Sequence, residues 1–252
     1  MPITVTPQGR HVVVVTIDNE AKRNAMSRAM LADLADTWER LEADADCRAI
    51  VITGAGDKAF NAGADISGDL SASEETAAMV NRALLKTVPY SKPIIAAVNG
   101  VCAGGGVELL LASDIRYAAP HARFGLPEVK WAIYPFGGAA AKLIHQIGHV
   151  HAMRLLLTAQ MIDAEEAVRL SLINEVVPAD ALMARALETA DVIAGNSPMA
   201  VQAVKRHIST GIAELALAGE PREQVLGDEV RASADFEEGI AAFRGKRQPT
   251  YG

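Results

Sequence analysis

The sequence predicts an α/β fold, a spiral of strand–helix units followed by a helical C-terminal region. Three observations carry this. β-Branched runs such as "HVVVVTID" (11–18), "AIVITG" (49–54) and "PIIAAV" (93–98) alternate with segments of helical period through the first two-thirds of the chain. From about residue 137 onward the pattern is helical almost throughout. Half of the 252 residues are hydrophobic and 22% are charged, the balance of a globular protein able to bury a substantial core.

Each element has its own signal. Apolar residues at Met30, Leu31, Leu34, Trp38 and Leu41 recur at helical spacing after Ser27, a residue type that caps helices by accepting a backbone N–H. A long loop, "GAGDKAFNAGADISGDLSAS" (54–73), has no clear period, and loops of that length in a compact domain are usually functional or disordered. A helix over roughly 74–87 follows, then the strand at 93–98, a glycine triplet opening a helix, and the strands "DIRYAA" and "ARFGLPEV". Pro178 separates two of the later helices. We expect a core domain over 1–195 and a helical region over 196–252.

Bulk chemistry excludes several classes. With 24 Lys and Arg against 31 Asp and Glu, the net charge of −7 opposes a dedicated nucleic-acid partner. Cys47 and Cys102 lie far apart and form no metal or redox spacing, so a disulfide framework is not expected. The N-terminus has no basic-then-apolar leader pattern, and no apolar run approaches the ~20 residues of a membrane span. A soluble, cytoplasmic protein is expected. "HQIGHVH" sets His145, His149 and His151 close together, but Gly148 interrupts the helical pair and no acidic third ligand is near, so no metal is expected. There is no G-x-S-x-G elbow and no phosphate-loop lysine motif.

The residues suited to chemistry cluster at two places. Gly104–Gly106, after a strand, let the backbone approach a ligand and open a helix whose first N–H groups are free. Ala62-Gly63-Ala64 could present another N–H from the long loop. Two such amides converging would form an oxyanion hole for an enolate-like oxygen. Two carboxylates stand in apolar settings: Glu108 within "VELLLA" and Glu128 within "GLPEV". A carboxylate is ordinarily solvated, so such a placement suggests a general acid–base pair.

The segments "AFNAGADIS", "NGVCAGGGVELLLASDIRYA" and "RFGLPEVKWAIYPFGGAAAKL" together resemble the crotonase superfamily, the enoyl-CoA hydratase/isomerase family. The likeness runs from "EAKRNAMS" (20–27) to "FEEGIAAFRGKRQPTYG" (236–252). It implies a crotonase-like spiral of ββα units with a helical trimerisation region, and an acyl-CoA thioester substrate with no further cofactor. By the same resemblance Ala64 and Gly105 would donate the two N–H groups of the oxyanion hole, and Glu108 and Glu128 would add water across the double bond of a 2-enoyl-CoA. Ala25, Ala62, Asp65, Ile66 and Ser67 would shape the CoA groove, and Lys246 and Arg247 would reach CoA phosphates. Isomerases of the family generally keep only the equivalent of Glu128, so the presence of both carboxylates favours hydration.

The chain departs from the family pattern at Trp131-Ala132, where many members have a small apolar residue and Gly, and at Ala139-Ala140, where many have Thr-Gln. We therefore expect Trp131 to narrow the acyl pocket, with packing beneath the Glu128 loop as the alternative. Other reactions of the same family stay open: isomerisation, carnitinyl-CoA-type dehydration, or acyl-CoA binding without catalysis. Self-association as a homotrimer or a dimer of trimers is implied by resemblance, with no membrane or nucleic-acid partner.

Overall fold

A computed structural model describes residues 2–65 and 73–252. Strands β1 (Ile3–Gln8) and β2 (Val12–Ile17) form an antiparallel hairpin, and α1 (Arg28–Ala43) follows with Ser27 Oγ accepting from the Met30 N–H at 3.3 Å. Then come β3 (Ala49–Gly54), β4 (Ala59–Asn61), α2 (Glu74–Ala83), β5 (Ile94–Val98), β6 (Val101–Ala103), α3 (Gly105–Leu110), β7 (Ile115–Ala118) and β8 (Arg123–Gly125). A 3-10 turn at Glu128–Trp131 leads to α4 (Ala139–Ile147) and α5 (His149–Thr158). The C-terminal part holds β9 (Ile162–Asp163), α6 (Ala164–Arg169), β10 (Glu175–Val176), α7 (Leu182–Gly195), α8 (Pro198–Arg231) and α9 (Ala234–Arg244).

The strands fall into two sheets, ordered β1-β2-β3-β5-β7-β10 and β4-β6-β8-β9. Each turn of the spiral gives one strand to each sheet: β3 then β4, β5 then β6, β7 then β8. The pairs β2–β3, β3–β5, β5–β7, β4–β6 and β6–β8 are parallel. Stacked corners allow little space between turns. A methyl group on Gly100, between β5 and β6, would lie 2.4 Å from the Lys58 carbonyl.

The apolar runs are continuous because the larger sheet is covered on both faces. Along β2, Val13, Val15 and Ile17 join the main core with Leu34 and Trp38 of α1, while Val12 and Val14 turn the other way. There they meet Leu182, Ala186 and Ala190 of α7. Fully burying side chains of this size contributes ~1.5–3 kcal/mol each.

The structure adds elements that the patterning does not announce. β1 and β6 are short or only partly apolar, and β9 and β10 have two residues each. The helix expected over 74–87 stops at Ala83, because the chain turns left-handed at Leu85 (φ +46°) and the Lys86 N–H returns to the Asn81 carbonyl. That early stop is what brings Lys86 inward; it is 3% exposed.

Candidate active site

The site assembles around Asn61, the last residue of β4. Its Nδ2 donates to the Asn24 carbonyl at 2.7 Å and its Oδ1 accepts from the Gly63 N–H at 2.8 Å. Asn24, also buried, donates to the Ala55 and Ala59 carbonyls and accepts from the Asn19 N–H. The segment 19–26 is thereby riveted to 59–65, with further bonds from Ala62 N–H to Arg23, from Met26 N–H to Gly63 and from Asp65 N–H to Met26. This brings Ala25 and Ala62 beside Asp65, which forms a 2.7 Å ion pair with Lys22. Ile66 and Ser67 lie outside the described residues.

Asn61 also receives α3. A methyl group on Gly106 would lie 2.2 Å from the Asn61 carbonyl oxygen, so the helix can approach only with glycine there. The two small-residue stretches consequently meet. The Cβ that Gly63 lacks would lie 3.4 Å from the Gly105 nitrogen, and the one that Gly105 lacks would lie 3.7 Å from the Ala64 nitrogen. Among the described residues nothing accepts a hydrogen bond from the N–H of Ala64 or of Gly105. Two unbonded backbone donors side by side have the form of an oxyanion hole.

The three glycines answer to three different constraints. Gly104 adopts φ +55°, ψ −124°, a region that side-chain-bearing residues rarely enter. Its missing Cβ would also lie 3.0 Å from Glu128 Oε1. Gly106 is excluded from carrying a side chain by Asn61. Gly105 has only ordinary contacts at its missing Cβ and is distinguished by its free N–H.

Glu108, one turn into α3, is 5% exposed, and its Oε1 accepts from the Ala139 N–H at 3.2 Å. A methyl group on Gly137 would lie 2.2 Å from its Oε2. Burial raises the Glu108 carboxyl to about 7, against the lowering effect of hydrogen bonds from Ala139 and Gly137 and of the Lys86 charge. Glu128 opens the 3-10 turn after Pro127, and its Oε2 is buried with no hydrogen-bond partner among the described residues. Burial, followed by repulsion from Glu108, raises its carboxyl to about 8. Two carboxylates that repel in a dry setting cannot both ionise easily, so near neutral pH the pair holds about one proton.

Three of the expected residues lie away from this centre or are otherwise engaged. The Trp131 ring packs edge-to-face on Phe243 of α9 at 5.2 Å, and the Trp131 backbone abuts Gly239. The half-buried indole thus joins the Glu128 turn to α9, a placement compatible with an acyl-pocket wall and with packing beneath that turn. Arg247 makes a two-point ion pair with Glu238 at 2.5 and 2.6 Å, so its charge is already met within the C-terminal tail. Lys246 is exposed at the left-handed end of α9 and has no ion-pair partner among the described residues.

Sequence reasoning did not single out Asn61, Gly137 or the Ala139 N–H. "FGGAAAKL" did carry a signal, a second glycine pair opening a helix as "GGGVELLL" does. Among the described residues no three His, Cys, Asp or Glu side chains gather as a metal-ligand set. None of the described helices is long and apolar enough to cross a membrane.

Known proteins resemble this chain along nearly its whole length. The enoyl-CoA hydratase from Mycobacterium tuberculosis known as EchA19 is 38% identical, with 99% of this chain and 96% of its own covered. A crystal structure of an enoyl-CoA hydratase/isomerase from Pseudoalteromonas atlantica T6c superposes with a TM-score of 0.91 at 33% identity, covering 100% of both chains. A carnitinyl-CoA hydratase from Mycobacterium avium matches at a TM-score of 0.89 and 38% identity, covering 99% of this chain and 98% of that one. The family model for enoyl-CoA hydratase/isomerase matches residues 8–252. With the spiral of paired strands, the unbonded N–H pair and the full-length matches together, the chain belongs to the enoyl-CoA hydratase/isomerase family of the crotonase superfamily.

Proposed function

We propose that this protein is an enoyl-CoA hydratase, adding water reversibly across the double bond of a 2-enoyl-CoA to give a 3-hydroxyacyl-CoA. The observation that carries the proposal is the carboxylate pair, buried Glu108 and half-buried Glu128 with its Oε2 enclosed, beside two unbonded backbone N–H groups. The thioester oxygen accepts from Ala64 and Gly105, which draws electron density out of the double bond. Glu108, held by the Ala139 N–H and the Lys86 charge in its ionised form, takes a proton from water as the oxygen bonds to C3. Glu128 carries the shared proton and delivers it to C2. Atoms balance without any change of oxidation level, so the reaction needs no redox group. CoA enters as part of the substrate.

Ala25, Ala62, Asp65 and Lys246 are the candidates for the CoA groove, together with Ile66 and Ser67. Arg247 would have to leave Glu238 to reach a phosphate. Self-association is part of the proposal. Helix α8 exposes Met199, Val204, Ile208, Leu217 and Val225, each more than half exposed, and its first half borders an apolar groove of about 720 Å³. A face of that kind is usually covered by a partner, and a homotrimer or a dimer of trimers would cover it.

A panel of 2-enoyl-CoA esters differing in chain length and branching, followed by loss of the conjugated thioester absorbance, tests the activity. Turnover of at least one ester with Glu108→Gln and Glu128→Gln both depressed ~10²–10⁴-fold is expected. Normal turnover in either variant would overturn the assignment. Activity that survives in Glu108→Gln alone on a 3-enoyl ester would point to isomerisation instead.

A further inference from the structure

Behind Glu108 lies a set of buried charges that hydration does not itself use. The Lys86 ammonium pairs with Glu223 Oε2 at 2.6 Å and with Glu220 Oε1 at 3.3 Å, both on α8. Glu223 is 7% exposed and Lys86 3%. Asn81 of α2 holds Glu220 from the other side at 2.6 Å. Lys142 of α4, 2% exposed, donates its Nζ to the Leu85 carbonyl at 2.6 Å.

The Gly137–Gly138 loop touches Glu108 on one side and these lysines on the other. The Cβ that Gly137 lacks would lie 2.2 Å from Glu108 Oε2, while the one that Gly138 lacks would lie 3.1 Å from Lys86 Cγ and 3.6 Å from Lys142 Cε. Gly138 holds φ +103° and starts α4, whose first residue, Ala139, gives Glu108 its N–H bond. One side of this loop therefore cradles the carboxylate, and the other side rests on the Lys86 stem. A buried ion pair is a weak stabiliser, since apolar side chains of similar volume often do as well or better. Its location calls for another role.

We infer that the Lys86–Glu223 pair positions Glu108, clamping the Gly137–Gly138 loop to α8 so that the seating of α8 sets the geometry and charge of the site. This rests on the reading of Glu108 as the general base. The charged and titratable groups facing Glu108 are Glu128 on the 3-10 turn, Lys86, Lys142 on α4, Glu223 on α8 and Tyr134, with Glu220 meeting Lys86. Within this set Lys86 favours the ionised form of Glu108 and Glu223 opposes it.

The two halves of the pair therefore act with opposite sign. Lys86→Met leaves the Glu223 charge uncompensated and should move the acid limb of the pH–rate profile upward. Glu223→Gln leaves Lys86 opposed by Glu220 alone and should move that limb downward. Shifts of roughly half to one pH unit, a ~3–10-fold change in proton affinity, suit charges acting through a partly buried medium. The double variant should return toward the wild-type profile.

The experiment measures kcat/KM against pH for the wild type, both single variants and the double variant, on the enoyl-CoA ester that the wild type hydrates best. In parallel, infrared pH titration follows the protonated-carboxyl band assigned by its loss in Glu108→Gln, with each variant in its native assembly. Opposite shifts in the two single variants uphold the inference. Shifts in one direction only, or an unmoved limb in folded protein, overturn it, because a merely structural pair would weaken both variants alike. Should Lys86→Met not fold, a fall in Glu223→Gln that reverses in the double variant decides the matter in favour, and no reversal decides against. If the wild type hydrates no enoyl-CoA, the functional proposal fails while the infrared titration still reads the coupling.

Discussion

The carboxylate pair makes a prediction about stability as well as rate. Burial, followed by repulsion from Glu108, raises the Glu128 carboxyl from its ordinary 4.5 to about 8. The folded-state value is raised, so between those limits the folded protein binds more protons than the unfolded chain. Stability therefore falls as pH rises from about 4.5, and the loss is complete above about 8. At ~1.4 kcal/mol per pKa unit the shift corresponds to as much as ~4–5 kcal/mol. Part of it belongs to the pair, since repulsion vanishes whenever Glu108 takes the proton. Removing the charge by Glu128→Gln should then stabilise the protein at pH 9 by ~2 kcal/mol relative to its effect at pH 5. For a chain of this size that is a difference of roughly 4–8 °C in Tm.

The assay is thermal unfolding of wild type and Glu128→Gln across that pH range at one fixed protein concentration, since assembly makes Tm depend on concentration. The amide introduces a donor with no partner beside the former Oε2, a cost of ~1–3 kcal/mol that does not vary with pH. The slope of the Tm difference against pH, and not its absolute value, is therefore the quantity to read. Activity should fall ~10²–10⁴-fold in the same protein. A Tm difference that stays flat from pH 5 to pH 9 would refute the claim that Glu128 is a desolvated, repelled carboxylate.

The glycine triplet should separate into three behaviours on alanine substitution. Gly106→Ala should lose the fold, Gly104→Ala should fold with a displaced Glu128 and little activity, and Gly105→Ala should melt as the wild type does with reduced kcat; a wild-type melting curve for Gly106→Ala would contradict the 2.2 Å approach to Asn61. Asn61→Ala should loosen both N–H donors at once, and loss of one such donor alone costs ~2.7–4 kcal/mol of transition-state stabilisation; unchanged kcat/KM in a folded variant would remove Asn61 from the site. Trp131→Leu should lower Tm, since the indole packs on Phe243, and an upward shift in the preferred acyl chain would assign it to the acyl pocket as well, whereas an unchanged preference would leave it a packing residue.

How much of this was legible in the sequence depends on whether a signal is local. The runs at 12–17, 49–54 and 94–98 are apolar at every position or nearly so because helices cover both faces of their sheet, and Ser27 caps α1 by a bond three residues long. Glu108 and Glu128 stood out by the apolar residues adjacent to them in the chain. Lys86 and Glu223 did not, because a lone lysine or glutamate reads as solvated, and only the fold brings together residues 137 positions apart. β6 was missed for a similar reason, since three residues make a strand only when β4 and β8 flank them. The glycines show the limit most clearly. A glycine in a sequence states that a Cβ is absent, but not why. At Gly104 the cause is a dihedral angle, at Gly106 it is the carbonyl of Asn61, and at Gly105 no close contact forbids a side chain. What remains at Gly105 is the unbonded N–H beside that of Ala64, a reason that exists only if something binds there.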